Sequence, residues 1–261
     1  MTRSQLLGAA ISTETRKIRS ARVGVSTLIM LDVGIPMVSI AALLGARSDD
    51  AALAAKLGPL VAEGGWPGYL STSAQITAVA GLLGFGVVLA WQFGREFGDG
   101  TVTGLFAIPV PRRTMAGAKL LVYLAWTFVV STGLILALLI GGLSFGLGVP
   151  GIEVWPLLAR GYGLALLTAG LAIPAALAAT LGRGLLSGIA AIIGVIVLAQ
   201  VAVFTGIGGW FPFSAPGLWA ATDAAAAHSV VSAGQLALVL PVAAAFAGLT
   251  LHSWHGLQLD R

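Results

Sequence analysis

No cysteine occurs among the 261 residues of the chain. That absence excludes a disulfide framework and any thiolate metal site, and it leaves the redox compartment unspecified. Charge is nearly as scarce: 9% of the residues are Asp, Glu, Lys or Arg, where soluble domains carry about 25%. A soluble globular domain is excluded on that ground. No lysine is followed by Ser or Thr, because Lys17 precedes Ile18, Lys56 precedes Leu57 and Lys119 precedes Leu120. A Walker-type nucleotide site needs that pair, the lysine for the phosphates and the hydroxyl for magnesium, so the chain has no such site of its own. His252 and His255 have a spacing that suits a metal, but no third ligand lies at an obvious interval and no Glu is near for hydrolysis. The run Gly142-Leu143-Ser144-Phe145-Gly146 matches the nucleophile-elbow pattern, with Asp223 and His228 on the same side. That pattern has meaning between a strand and a helix, whereas Ser144 ends an apolar run.

What the chain has in abundance is apolar sequence, with 57% hydrophobic residues and a mean hydropathy of +0.97. A helix needs about 20 apolar residues to cross a ~30 Å hydrocarbon core. Runs of that kind lie at 23–44, 71–92, 117–143, 161–181, 185–205 and 233–251. The expected fold is therefore an all-α membrane protein with six transmembrane helices. Only Gly182, Arg183 and Gly184 separate the fourth run from the fifth, which reads as a tight hairpin. The chain divides into a basic amphipathic segment at 1–22, a transmembrane domain at 23–251 and a tail at 252–261. The first apolar run is a full span long and has no small-residue cleavage site after it, so it stays in the mature protein.

Basic residues set the orientation. With both termini in the cytoplasm, 11 of the 14 Lys and Arg residues fall inside, and only Arg47, Lys56 and Arg160 fall outside. That is the positive-inside pattern; the expected location is the plasma (inner) membrane, as a multi-pass protein. Residues 5–22 read as an amphipathic helix on the inner leaflet, with Leu7, Ile11 and Ile18 on one face, or as an ordinary basic juxtamembrane tail. Residues 206–232 carry Trp210, Phe211, Phe213 and Trp219 among Gly and Pro. They read equally as re-entrant half-helices before the sixth span or as an interfacial aromatic belt. No internal repeat aligns the two halves. Small-residue pairs such as Gly184 with Gly188 arise by chance in a chain with 36 glycines.

Two places carry chemistry. Asp32 lies about ten residues into the first span, where an acidic side chain costs ~3 kcal/mol on insertion scales. Pro36 follows at i+4, so the carbonyl of Asp32 loses its helical partner and a kink is expected. Asp32 and Pro36 either line a translocation path or pack one helix on another. The second place is the polar loop from Gln92 to Lys119. Thr101 can cap a short helix whose apolar residues Val102, Leu105 and Phe106 fall at i, i+3 and i+4, and Pro109 and Pro111 bar its continuation. Helices shorter than ~12 residues are marginal in water, so this one needs a partner surface.

The run Glu96-Phe97-x-x-Gly100-Thr101, then Leu105, Pro109, Arg112 and Lys119, resembles the loop between the second and third spans of permeases of exporter-type ATP-binding-cassette transporters of the second type. A basic N-terminal helix bearing Glu14 and Lys17, six spans, and Pro216 with Trp219 before the sixth span extend the resemblance. It implies that residues 101–108 are a coupling helix docked in a groove of a separate ATPase subunit. It also implies that Glu96 meets the N-terminal helix, where Arg16, Lys17 and Arg19 offer partners. Catalysis would belong to the partner, with ATP and Mg bound there and no cofactor in this chain. The implied assembly has two ATPase copies and a second permease chain, identical or homologous, in a lipid bilayer, with no nucleic acid. The importer-type E-A-A signature is not found, which favours export over import; an amphipathic drug, an antimicrobial peptide and a lipid are all open as its substrate. A gradient-driven secondary transporter or channel, and a non-transporting membrane scaffold, are the other readings.

Overall fold

A computed structural model describes residues 3–61, 64–101, 104, 110–220 and 231–257. These residues are helices joined by turns, with no strand among them. Six helices are long and apolar enough to cross a membrane: Arg22–Ala46 (span 1), Gly65–Gly98 (span 2), Arg112–Ser144 (span 3), Val154–Leu181 (span 4), Leu185–Phe204 (span 5) and Ala233–His255 (span 6). Spans 2 and 3 have 34 and 33 residues, about 50 Å of helix each at 1.5 Å per residue. They overrun the hydrocarbon, which is how their ends come to present polar side chains beyond it.

The N-terminal helix Arg3–Ser20 stops where Ala21 adopts extended backbone, φ −79° and ψ 131°. Span 1 then begins at Arg22 in a new direction. The bend is close, since a Cβ at Gly24 would lie 2.6 Å from the carbonyl oxygen of Ile18. Only a residue without a side chain fits there.

Two spans contain a wide π turn, at Met30–Gly34 in span 1 and at Thr77–Gly81 in span 2. The first has a visible cause. Pro36 has no N–H to give, so the helix widens locally ahead of it rather than breaking, and the N–H of Ile35 returns to the ordinary i to i−4 pattern by bonding to the carbonyl of Leu31. Span 4 does break, because Pro174 interrupts it after Leu171. The break is covered by Tyr123 of span 3, whose buried hydroxyl donates to the carbonyl of Ala169 at 2.7 Å. In a low-dielectric interior a weakened helix carbonyl needs such a partner.

Spans 4 and 5 form the expected hairpin. Arg183 has φ 51°, and the N–H of Gly184 reaches back to the carbonyl of Ala179 at 3.0 Å, a left-handed helix terminus. Span 5 then packs on span 2 through small residues four apart. A Cβ at Gly86 would lie 2.5 Å from Ile192 Cγ1, one at Gly188 2.5 Å from Ala90 Cβ, and one at Gly94 2.6 Å from the nitrogen of Leu185. The glycines let the two backbones approach closely, which is the main driving geometry between helices in lipid. The short helix Ala215–Ala220 packs by the same means, with Trp219 against Gly163 and Gly217 against Ala78. Outward faces are apolar as well: Ile193, Val197, Val201 and Phe204 of span 5 are exposed, an arrangement suited to lipid or to a second membrane chain.

Candidate functional site

Where the N-terminal helix meets the bundle, four charged side chains lie within contact of one another. Lys17 and Glu14 come from the N-terminal helix, Glu96 from the end of span 2 and Lys119 from the start of span 3. Lys17 Nζ is 2.8 Å from Glu14 Oε1 and 2.8 Å from Glu96 Oε1. Lys119 Nζ is 3.0 Å from Glu14 Oε2 and 2.9 Å from Glu96 Oε1. The charges alternate around a square and sum to zero. Burial makes that balance matter: Lys119 is 1% exposed, Glu96 3% and Glu14 7%. An isolated charge at such a depth costs several kcal/mol, so each must be matched.

Helix spacing explains how the chain assembles the square. Glu14 and Lys17 are three apart and share one helix face, and Gln92 and Glu96 are four apart on another. Lys119 uses all three of its N–H donors, the third going to the carbonyl of Gln92 at 3.0 Å. Gln92 returns the bond, donating from Nε2 to the carbonyl of Lys119 at 3.1 Å. Spans 2 and 3 are thereby fastened at their ends. On the far side Trp254 of span 6 presents its ring 5.8 Å from Lys119 Nζ, and Phe93 lies 6.0 Å away, both within cation–π range. Trp254 is fixed in turn by donating from Nε1 to Thr180 Oγ1 of span 4 at 3.0 Å. Burial pushes the Lys17 ammonium down, but its hydrogen bonds to Glu14 and Glu96 and their charges outweigh that and hold its pKa above the ordinary lysine value.

One contact leads out of the square toward the loop. Thr101 donates from Oγ1 to Glu96 Oε2 at 2.8 Å, after a turn in which Gly100 has φ 66°. Thr101 is the first residue of the loop's short helical pattern. Val102, Leu105, Phe106 and Pro109 lie outside the described residues. Of the three cations named for Glu96, Lys17 is the one brought to it; Arg16 and Arg19 are exposed. Glu14 and Lys119 were visible in the sequence only as parts of a motif, and Gln92 only as the boundary of the polar loop. The available signal was Gln92 and Glu96 at i, i+4 closing an apolar run.

Asp32 sits apart from this square, in the π turn of span 1. Its carboxyl group presses on Gly133 of span 3, where a Cβ would collide with Oδ2. Asp32 Oδ1 is buried and has no hydrogen-bond partner among the described residues. Pro36 lies against Gly141 of the same span, 3.7 Å from a Cβ built there. Asp32 and Pro36 thus both face the seam between spans 1 and 3.

Residues 10–199, from the N-terminal helix through most of span 5, match the family model described as ABC-2 family transporter protein. The chain belongs to the ABC-2 transporter family. It is a multi-pass permease subunit of an ABC transporter, the membrane component rather than the catalytic one, and its family implies an ATPase partner. No curated protein matches the chain. The four charged residues, Thr101, Asp32 and Gly133 of this ABC-2 permease all fall inside the matched region.

Proposed function

We propose that this ABC-2 permease forms half of the translocation path of an ATP-driven exporter, paired with a second permease chain, identical or homologous, and two ATPase subunits. Both termini and the loop at 99–111 face the cytoplasm of the plasma membrane. The loop segment 101–108 docks on the ATPase. ATP and Mg bind on that partner, and this chain needs no cofactor. The observation that carries the reading is the route from Thr101 through Glu96 to Lys17 and Lys119. A displacement of the loop reaches the N-terminal helix and spans 2 and 3 through short charge-assisted bonds, which are roughly twice as strong as neutral ones. Rigid elements joined in this way move as a unit, the ordinary means by which a docked domain shifts spans between inward and outward states. The transported molecule is amphipathic: a drug, an antimicrobial peptide or a lipid.

The test is reconstitution with an ATPase from a neighbouring reading frame containing G-x-x-x-x-G-K-[ST]. Export from proteoliposomes should require ATP hydrolysis and stop when either chain is left out. Flux that follows an ion gradient and ignores ATP would assign the chain to gradient-driven carriers instead.

A further inference from the structure

A cavity of about 700 Å³ opens beside the charge square, where the N-terminal helix, the start of span 1, the end of span 2 and the start of span 5 come together. Its walls include Lys17, Ser20, Arg22, Trp91, Arg95 and Leu185. The cations are not equally committed. Lys17 is matched by Glu14 and Glu96. Among the described residues Arg95 pairs only with the exposed Asp99, at 3.3 Å from its Nε, and its guanidinium lies 4.9 Å from the centre of the Trp91 ring. Arg22 is exposed and forms no ion pair among the described residues. With Asp99 subtracted, the cavity keeps a net positive charge that no ion pair among the described residues neutralises.

We infer that this cavity binds the phosphate headgroup of an anionic phospholipid of the leaflet on which the N-terminal helix lies. Arg22 and Arg95 hold the phosphate, and Trp91 adds to the same wall an indole ring, the kind of side chain enriched where membranes meet water. A lipid suits the walls better than a free anion. Val23 and Leu185 line the same cavity, and Val25, Ile29 and Leu186, which follow them in spans 1 and 5, are exposed apolar side chains that suit acyl chains. Basic pockets between helices at a membrane surface recognise such headgroups by this combination. A bound lipid would also brace the elbow at Ala21, so the leaflet's composition would bear on the same helix that supplies Glu14 and Lys17. This consequence rests on the exporter reading above; the lipid site itself does not.

The experiment uses the full-length permease purified without its ATPase, so that its result is independent of ATPase docking. Native mass spectrometry counts retained phosphatidylglycerol against phosphatidylcholine, and inorganic phosphate is titrated separately. Phosphatidylglycerol should be retained preferentially. Arg22→Gln and Arg95→Gln should each weaken its binding about fivefold, the effect of removing one interfacial cation. Gly98 lines the cavity and a side chain there meets open space, so Gly98→Leu should displace the lipid by bulk with every charge kept. Arg160→Gln, at an exposed position far along the sequence, should retain lipid as the wild type does. Equal retention of both lipids, unchanged retention in the Arg22→Gln, Arg95→Gln double variant, or displacement of phosphatidylglycerol by millimolar inorganic phosphate would each overturn the assignment.

Discussion

Lys119 Nζ and Glu14 Oε2 are 3.0 Å apart although 105 residues separate them in the chain. That contact fixes the N-terminal helix to the base of span 3. A buried ion pair is seldom a net source of stability, because desolvation of the two ions offsets most of their attraction. Its removal by halves is a different matter, and the first prediction follows from that asymmetry.

Lys119→Met leaves Glu14 and Glu96 buried with one cation between them, and should lower the unfolding free energy by about 3–5 kcal/mol. The double variant Lys119→Met, Glu14→Gln removes one charge of each sign and should recover much of the loss. Thermal unfolding of the purified permease in detergent reads both. A double variant less stable than Lys119→Met alone would show that charge balance is not what the square supplies.

Glu96→Gln should impair coupling and also cost stability, since it keeps the shape but leaves Lys17 and Lys119 with one carboxylate between them. Glu96→Lys should abolish ATP-dependent export, and Lys17→Glu should partly restore it by exchanging the two signs. Arg16→Glu and Arg19→Glu should give no rescue, as neither side chain reaches Glu96. Export per ATP hydrolysed is the quantity to compare, and rescue by Arg16→Glu or Arg19→Glu rather than Lys17→Glu would contradict this geometry.

The raised pKa of Lys17 has a defined sign in stability. A group whose folded pKa exceeds its unfolded value contributes fully below the unfolded value, here the ordinary 10.5, and loses that contribution as pH rises through the folded one. The difference in melting temperature between wild type and Lys17→Met should therefore be flat from pH 6 to about pH 10 and shrink above it. A difference that shrinks between pH 6 and pH 8 would assign the titration to another group.

At the seam of spans 1 and 3, Gly133→Ala should destabilise the bundle by about 1–3 kcal/mol, because the new methyl group meets the Asp32 carboxyl. Shortening the opposing side chain with Asp32→Ala should relieve the clash in the double variant. Asp32→Asn keeps the shape, and is expected to insert normally while altering transport; Asp32→Leu serves beside it as the apolar comparison. Wild-type export and stability in both Asp32→Asn and Asp32→Leu would remove the residue from path and packing alike.

Phe106→Asp places a charge in the proposed ATPase contact, where burial of a Phe contributes ~1.5–3 kcal/mol. The chain should still insert, but it should lose its ATPase on purification, and transport with it. Phe106→Trp separates docking from anchoring in the leaflet, since an interfacial anchor accepts Trp. Undiminished ATPase retention by Phe106→Asp would rule out docking through this stripe.

Class, span number and the elements of the candidate site were legible in the sequence because each depends on local pattern. Length and hydropathy specify a crossing helix whatever its neighbours, and Pro36 four residues beyond Asp32 announces a disturbed turn without reference to any other span. What surrounds those elements was not legible. Lys119, read alone, is a cation at the edge of an apolar run; only its approach to Glu14, Glu96 and the carbonyl of Gln92 makes it a buried centre of charge. Gly188 is one glycine of 36 until Ala90 is found against it, and Gly133 has no meaning until Asp32 leans on it. Such contacts join residues tens of positions apart, and no periodicity along the chain encodes them. Helix formation in a membrane is decided within each segment by backbone hydrogen bonding, whereas partner choice is decided by close packing and by the matching of buried charge, which exist only once the helices are together.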